Sequence, residues 1–258
     1  MKAMILAAGL GSRLKPLTDY KPKALVEVEG VPMLERIIMT LKKQGFTYIV
    51  VNVHHFAGQI IEFLDTKDFG LEIKVSDESE SLLDTGGGIV KAFPLLFSDN
   101  REPVLFHNVD IISNAALSEV MYNSQGGKTD TTLLVSPRES SRKLLFSQNE
   151  ALIGWHDLKN GKYRPENFEV DHYLNKDGKA VYYEYAFSGI YSMTLESVSE
   201  MKELMGNNRF SVMDYFLNPL RKKIIKGFVQ RDLKLLDIGK PATLEQASGL
   251  LQNIRNSN

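Results

Sequence analysis

The chain has 258 residues, of which 43% are hydrophobic and 24% charged, and its formal net charge is -1. These values describe an ordinary globular protein rather than a fibrous or disordered one, and they exclude the broad basic surface on which non-specific binding to nucleic acid or an anionic membrane relies. Cysteine is absent, which removes disulfides, thiolate metal sites and cysteine redox chemistry and fits a reducing compartment.

Met1-Lys2 leads into an apolar run over 3–8 that is too short for a membrane span and lacks the layout of a secretory signal, so the expected location is cytoplasmic, with no membrane partner and no nucleic-acid partner. Residues 4–8 read as the first strand. The loop Gly9-Leu10-Gly11-Ser12 follows and ends in Arg13, with Lys23 a few residues beyond. Small residues let backbone N–H groups approach phosphate oxygens, and Arg13 and Lys23 supply charge that amides cannot. A dinucleotide fingerprint would need a third glycine where Leu14 stands, and a P-loop would need Gly-Lys followed by Ser or Thr, so neither pattern is met.

Pro32 opens a helical pattern carrying Leu34, Ile37, Ile38 and Leu41, and Gly45 stands where that helix would stop. A buried strand over 48–53, a helix over 59–64 and a strand over 71–75 follow. A second glycine loop, Leu83-Asp84-Thr85-Gly86-Gly87-Gly88-Ile89, leads into a helix over 88–96 closed by the loop around Asn100. Three adjacent glycines are costly inside a helix and useful in a loop that a ligand approaches closely. A strand over 104–106 runs into His107-Asn108-Val109-Asp110, which puts polar side chains at the carboxyl end of a strand, the edge where open α/β sheets bind ligands. Adjacent His54 and His55 lie on an extended chain and point to opposite faces, which argues against a joint metal site.

Beyond about Thr131 the pattern changes to strands of a mixed or antiparallel portion over 131–135, 151–155 and 181–185. The polar stretch 159–179 reads as a long excursion. Trp155, Tyr182, Tyr183 and Tyr185 are candidates to line a pocket, with core packing the competing role. Helices over 195–204 and 212–220, a β-rich return over 224–236 and a helix from Pro241 to about Ile254 complete the pattern. No hexapeptide repeat follows, so no β-helix domain is expected.

The run Leu6-Ala7-Ala8-Gly9-Leu10-Gly11-Ser12-Arg13-Leu14-Lys15-Pro16-Leu17-Thr18, with Pro22-Lys23 after it, resembles the signature of the sugar-1-phosphate nucleotidylyltransferases, including the branch of the N-acetylmuramate-1-phosphate uridylyltransferases. The resemblance implies a Rossmann-like α/β fold, with a mixed, mostly parallel central sheet flanked by helices and a smaller β-rich portion. It implies one nucleotidyltransferase domain over 1–258, with nucleotide binding in about 1–130 and sugar binding in about 131–258. The reaction implied transfers an NMP unit from an NTP to a sugar 1-phosphate, with Mg2+ as cofactor and those two molecules as partners.

By the same resemblance, Arg13 and Lys23 contact the phosphates. Asp110 and Asp237 hold Mg2+, the latter in Asp237-Ile238-Gly239-Lys240-Pro241, which looks like the segment that supplies the second metal ligand. Ala7, Ala8, Gly9, Gly11, Ser12, Thr85, Gly86, Gly87 and Asn108 fall to the nucleotide. Glu184, and Gly189 in Phe187-Ser188-Gly189-Ile190-Tyr191, fall to the sugar. Val109 departs from the family's small residue at that place, and the Glu-Lys pair that holds the sugar phosphate in many relatives is not evident. Lys159 and Lys162 are substitutes for that lysine, although a solvated surface is the plainer role for each. The run from Asp84 through Ile89 favours UTP with N-acetylmuramate 1-phosphate. GTP with mannose 1-phosphate is the alternative substrate pair, and an inactive nucleotide-sugar sensor is the alternative that is not an enzyme.

Overall fold

A computed structural model describes residues 1–98, 101–124, 129–166, 168–178 and 181–256. The loop around Asn100 and the last position of the polar excursion, Lys179, lie outside the described residues. The first part of the chain runs β1 (Lys2–Leu6), the short pair β2 (Glu27–Val28) and β3 (Val31–Pro32), α1 (Met33–Lys43), β4 (Tyr48–Val53), α2 (Ala57–Asp65), β5 (Glu72–Asp77), α3 (Asp84–Leu96), β6 (Val104–Asn108), β7 (Ile111–Ser113) and α4 (Leu117–Ser124). Then come β8 (Thr131–Ser136), β9 (Arg142–Phe146), β10 (Leu152–Asp157), β11 (Lys162–Arg164), β12 (Tyr183–Met193), α5 (Leu195–Met205), α6 (Val212–Phe216), β13 (Ile225–Val229), β14 (Leu235–Asp237) and α7 (Pro241–Arg255).

Ten strands form a mixed sheet in the order β11-β10-β9-β12-β6-β1-β4-β5, with β8 pairing to β12 and β13 to β8. The block β6-β1-β4-β5 is parallel, and it is the block whose strands alternate with helices in sequence. Alternation along β1 divides the core. Ala3 and Ile5 join the cluster under α1, α2 and α4, whereas Met4 and Leu6 join the cluster under α3, α5 and α6, as successive strand residues must. The apolar stripe of α1 is buried, and Gly45 turns the chain with a φ of 86° just after it.

Strand β12 joins the parallel block to the β-rich portion. Its C-terminal part pairs antiparallel with β6 and its first residues pair with β9. The periodicity suggested only 181–185 here. The strand continues because Ile190–Met193 packs in the core, and the register against β8 shifts between Phe187 and Tyr191, around Gly189 with its φ of 76°. The helix expected over 212–220 stops at Phe216, ahead of Asn218-Pro219, where the proline disfavours helical backbone in the residue before it. Among the described residues, no helix is long and apolar enough to cross a membrane.

Candidate active site

Two cavities adjoin at Thr85 and Asn108, residues that line both. The first, of about 350 Å³, is bounded by Ala8, Gly9, Leu10, Gly11, Ser12 and Arg13 from the loop after β1, together with Lys23, Asn52, Asp84, Asp110 and Gly239. The second, of about 530 Å³, is bounded by Asp237, Gly189, Phe187, Trp155 and four cations, Arg138, Arg142, Lys143 and Arg164.

The loop after β1 has a fixed shape. Gly11 adopts a φ of 66°, and a Cβ there would stand 2.9 Å from the Thr18 methyl and 3.1 Å from Lys23 Cβ, so only glycine suits the position. The Thr18 hydroxyl donates to the Gly11 carbonyl at 2.9 Å, and the Leu14 amide donates to the same carbonyl at 2.8 Å. Ala7 departs from the expectation. Its amide donates to Asn52 Oδ1 at 2.7 Å and the residue lines neither cavity, because a buried N–H takes a protein acceptor where one is in reach. Asn52 passes the bond on to Glu78 Oε1 at 2.6 Å. Burial raises the Glu78 pKa above the usual carboxylate range, opposed by the Asn52 and Leu83 hydrogen bonds.

The glycine triplet also departs from the expectation. It lies in the first turns of α3 and not in a loop, and neither Gly86 nor Gly87 lines the two cavities. The Gly86 amide donates to the Phe210 carbonyl at 3.0 Å, and the Gly87 amide to the same oxygen at 3.3 Å. A Cβ would stand 2.1 Å from the Phe210 ring at Gly86, 2.5 Å from the Asn208 carbonyl at Gly87 and 2.6 Å from Glu78 Oε1 at Gly88. Close packing accounts for the helix-disfavouring residues here. Thr85 alone of the predicted group in this segment reaches the cavities, while its hydroxyl accepts from the Val212 amide at 2.9 Å.

Asp110 and Asp237 are brought together by strand pairing. Asp110 immediately precedes β7, which pairs antiparallel with β14 so that Ile111 stands opposite Asp237, and the Ile238 amide donates to the Asp110 carbonyl at 2.8 Å. Lys23, itself almost buried, donates to Asp110 Oδ2 in a close ion pair. Burial and then the charge of Asp110 raise the Asp237 pKa, while Lys23, Arg13 and Arg138 oppose the rise. Gly239 completes the arrangement, since a Cβ there would stand 2.8 Å from Asp237 Oδ1 and 3.2 Å from Arg13 Nη2. Two adjacent carboxylates form a donor set that suits Mg2+, which is ordinarily held by one or two carboxylates with substrate phosphates and water completing its shell. Among the described residues, no group of three or more His, Cys, Asp or Glu side chains forms a metal-binding cluster.

Gly189 lines the second cavity, where a Cβ would stand 2.7 Å from Asn108 Nδ2. Glu184 does not line it. Its Oε1 lies 3.5 Å from His156 Nδ1 instead, because Glu184 stands opposite Leu145 of β9 while its neighbour Tyr185 stands opposite Leu144, and successive strand residues point to opposite faces, which turns Glu184 away from the face of Leu144 and Trp155. Trp155 lines the second cavity, whereas Tyr183 and Tyr185 border a separate depression and Tyr182 stands edge-on to Phe168 and Tyr173. Lys159 and Lys162 are exposed and line neither cavity. His54 Nδ1 is bonded to the Glu78 carbonyl at 2.7 Å, and the His55 ring packs against Phe56 at a tilt of 46°.

Sequence reasoning missed Arg138 and Asn52. Arg138 donates to the Phe187 carbonyl at 2.8 Å, and its buried Nε has no partner among the described residues. Its signal was its place just past a predicted strand, after Pro137. Asn52 was visible as the single polar residue inside an apolar strand, a position that requires a buried partner.

A family model described as Nucleotidyl transferase matches residues 2–252. The chain is 44% identical over 116 residues to an N-acetylmuramate alpha-1-phosphate uridylyltransferase of Neisseria meningitidis, a match covering 44% of this chain and 48% of that protein. It is 35% identical to a protein of the same name from Caulobacter vibrioides, over 60% of this chain and 61% of that one. A probable mannose-1-phosphate guanylyltransferase of Oryza sativa is 35% identical over 55% of this chain and 40% of its own length. The matched segments thus span less than two thirds of these relatives. The inositol-1-phosphate CTP transferase of T. maritima aligns with a TM-score of 0.73 and 17% identity over 98% of this chain and 96% of its own. HddC from Yersinia pseudotuberculosis, complexed with GMP-PN, aligns with a TM-score of 0.72 and 20% identity, covering 97% and 99%. At those identities the likeness establishes the fold.

Proposed function

The chain belongs to the nucleotidyl transferase family, and from that premise we propose that it transfers an NMP unit from an NTP to a sugar 1-phosphate in the crevice where its two cavities meet. The observation that carries this reading is the convergence of Arg13, Lys23, Asp110 and Asp237 from four separate segments.

An oxygen of the sugar phosphate attacks the α-phosphorus of the NTP, forming one P–O bond as the bond to the departing pyrophosphate breaks. The obstacle is charge, so catalysis rests on positioning and on electrostatic stabilisation. Arg13, exposed at the mouth of the first cavity, takes the developing pyrophosphate charge, which a planar guanidinium contacts in bidentate fashion. Lys23 holds charge at the point where the two anions meet, and its ion pair keeps Asp110 in place before they arrive. Arg138, beside Asp237 and with an unpartnered Nε, receives the sugar phosphate in place of the lysine that many relatives use. Asp110 and Asp237 would hold Mg2+, which lowers the repulsion among phosphates when bound. The loop residues Ala8, Gly9, Gly11 and Ser12, with Thr85 and Asn108, border the nucleotide, and Gly189 borders the sugar.

UTP with N-acetylmuramate 1-phosphate is the favoured pair, supported by the names of the Neisseria and Caulobacter relatives. GTP with mannose 1-phosphate is the second reading, supported by the Oryza relative. These substrates fit a cytoplasmic enzyme of nucleotide-sugar synthesis. Initial rates of pyrophosphate release across a matrix of NTPs and sugar 1-phosphates test the choice. The largest kcat/KM is expected with UTP and N-acetylmuramate 1-phosphate, whereas a maximum with GTP and mannose 1-phosphate reverses it. Nucleotide binding without turnover for any pair leaves a sensor.

A further inference from the structure

We infer that the second cavity recognises a carboxylate on the sugar, separate from the sugar phosphate, through Arg142 and Arg164; this rests on the reading of the site given above. The first observation is a charge imbalance. Arg138, Arg142, Lys143 and Arg164 line the cavity and Asp237 is the one carboxylate among its described lining residues. Arg138 faces Asp237 and Lys143 donates to the Arg138 carbonyl at 2.7 Å, so these two cations lie toward the phosphate end. Arg142 and Arg164 are left over.

Strand register places both on one surface. In the antiparallel set β9-β10-β11, Trp155 stands opposite Leu144 on one side and Arg164 on the other, and Arg142 lies two residues from Leu144. Residues two apart share a face, so Arg142, Leu144, Trp155 and Arg164 form one wall, and all four line the cavity. Strand β9 is two places from β6 in the sheet, a distance of roughly 10 Å at the usual interstrand spacing. An anion held at this wall is therefore distinct from one held beside Asp110, with room for a sugar ring between them.

The bonding state of the two guanidinium groups points to an anion. Arg142 is exposed and makes no side-chain hydrogen bond or ion pair among the described residues. Its cross-strand neighbour Asp157 accepts from the Lys159 amide at 3.0 Å and does not pair with it. Arg164 donates to Asp214 through one nitrogen at 2.9 Å, which leaves its other donors free for a ligand. Guanidinium carries five N–H donors and no acceptor, and its fork matches a carboxylate in bidentate fashion. A neutral hexose offers hydroxyls that both donate and accept, and it would leave the Arg142 charge without a counter-charge, while Arg164 keeps its ion pair with Asp214. N-acetylmuramate 1-phosphate carries a lactyl carboxylate, so a sugar of that kind satisfies both ends of the cavity, with Trp155 beneath the ring.

Calorimetric titration of the full chain with N-acetylmuramate 1-phosphate and with its lactyl methyl ester, each in the presence of a non-hydrolysable UTP analogue, provides the test. Wild-type protein should bind the free acid at least about tenfold more tightly than the ester, as expected for a charge-assisted hydrogen bond. R142Q should bring that ratio toward one, and R142K should retain part of it. Equal affinity for acid and ester, or a ratio unchanged in R142Q, overturns the proposal. A clear preference for the acid without pyrophosphate release in turnover assays upholds the subsite and removes the enzymatic reading, so the two failures are distinguishable.

Discussion

Lys23 and Asp110 show how tightly charge is managed at single side chains. Both are largely buried and each is the other's partner, so truncating Asp110 strands a cation in low dielectric and lowers stability as well as activity. Arg13 is exposed and forms no ion pair among the described residues, which makes it the cleaner probe of phosphate chemistry. His107 adds a pH signature. It is buried, its Nδ1–H donates to the Asn108 carbonyl at 2.8 Å, and burial pushes its pKa down to about 4, against the raising influences of that bond and of Asp110. The unfolded chain takes up this proton near pH 6.5 and the folded chain does not. Stability is therefore lost as pH falls from about 6.5 toward 4, by roughly 3 kcal/mol at 1.36 kcal/mol per pKa unit. Urea unfolding at pH 7 and pH 4.5 should show a smaller acid loss in His107→Gln than in wild type; equal losses would mean that His107 is not held neutral. At this scale Arg13, Lys23, Asp110 and Asp237, which the fold brings together, stood out because charged residues stood in long motifs. Ala7 and Glu184 were misread because hydrogen-bond partners and strand register are properties of the folded chain.

Among the elements, α3 departs furthest from what its sequence suggests. Three glycines lower its helix propensity by about 1 kcal/mol each relative to alanine, yet the helix forms because it can then lie against the loop at 208–210 and the Asn52–Glu78 pair. Gly88→Ala would raise intrinsic propensity while placing a methyl 2.6 Å from Glu78 Oε1 and 2.8 Å from Asn52 Nδ2. A net loss of about 1–3 kcal/mol is expected in urea unfolding, in line with overpacking elsewhere, together with a raised KM for the nucleotide. A stabilised variant would show that the contact is loose. Strand positions in the parallel block were legible as apolar runs, and the stripe of α1 gave its helix away. Strand β9 and helix α4 were missed, and β12 was cut short, since β9 has a weak pattern of its own, forms a hairpin with 152–157 and pairs with 183–185 only at long range.

Across the whole molecule, a small third cluster decides whether the site exists. Val28, Met33, Ile112, Ile238, Ala247 and Leu251 pack α7 against β7 and β14, and this packing holds Asp237 next to Asp110 although the two are distant in sequence. Ile238 is fully buried, so Ile238→Ala should cost about 2–4 kcal/mol in urea unfolding. Turnover should also fall at temperatures where the variant remains folded, because the strand that carries Asp237 loses its anchor. Unchanged turnover in the folded variant would separate that packing from catalysis. The α/β class and the alternation of the first half were readable from periodicity, but the meeting of β7 with β14 was not, since short strands far apart carry no local signal. The most direct measurement is pyrophosphate release with saturating UTP and N-acetylmuramate 1-phosphate from wild type, R13A, D237N and the double variant. Each single variant should lose about a hundredfold or more, with the double little worse than the poorer single, as expected of groups that act together on one triphosphate. Wild-type rates in either single variant would contradict the assembly of these four charges into one active site.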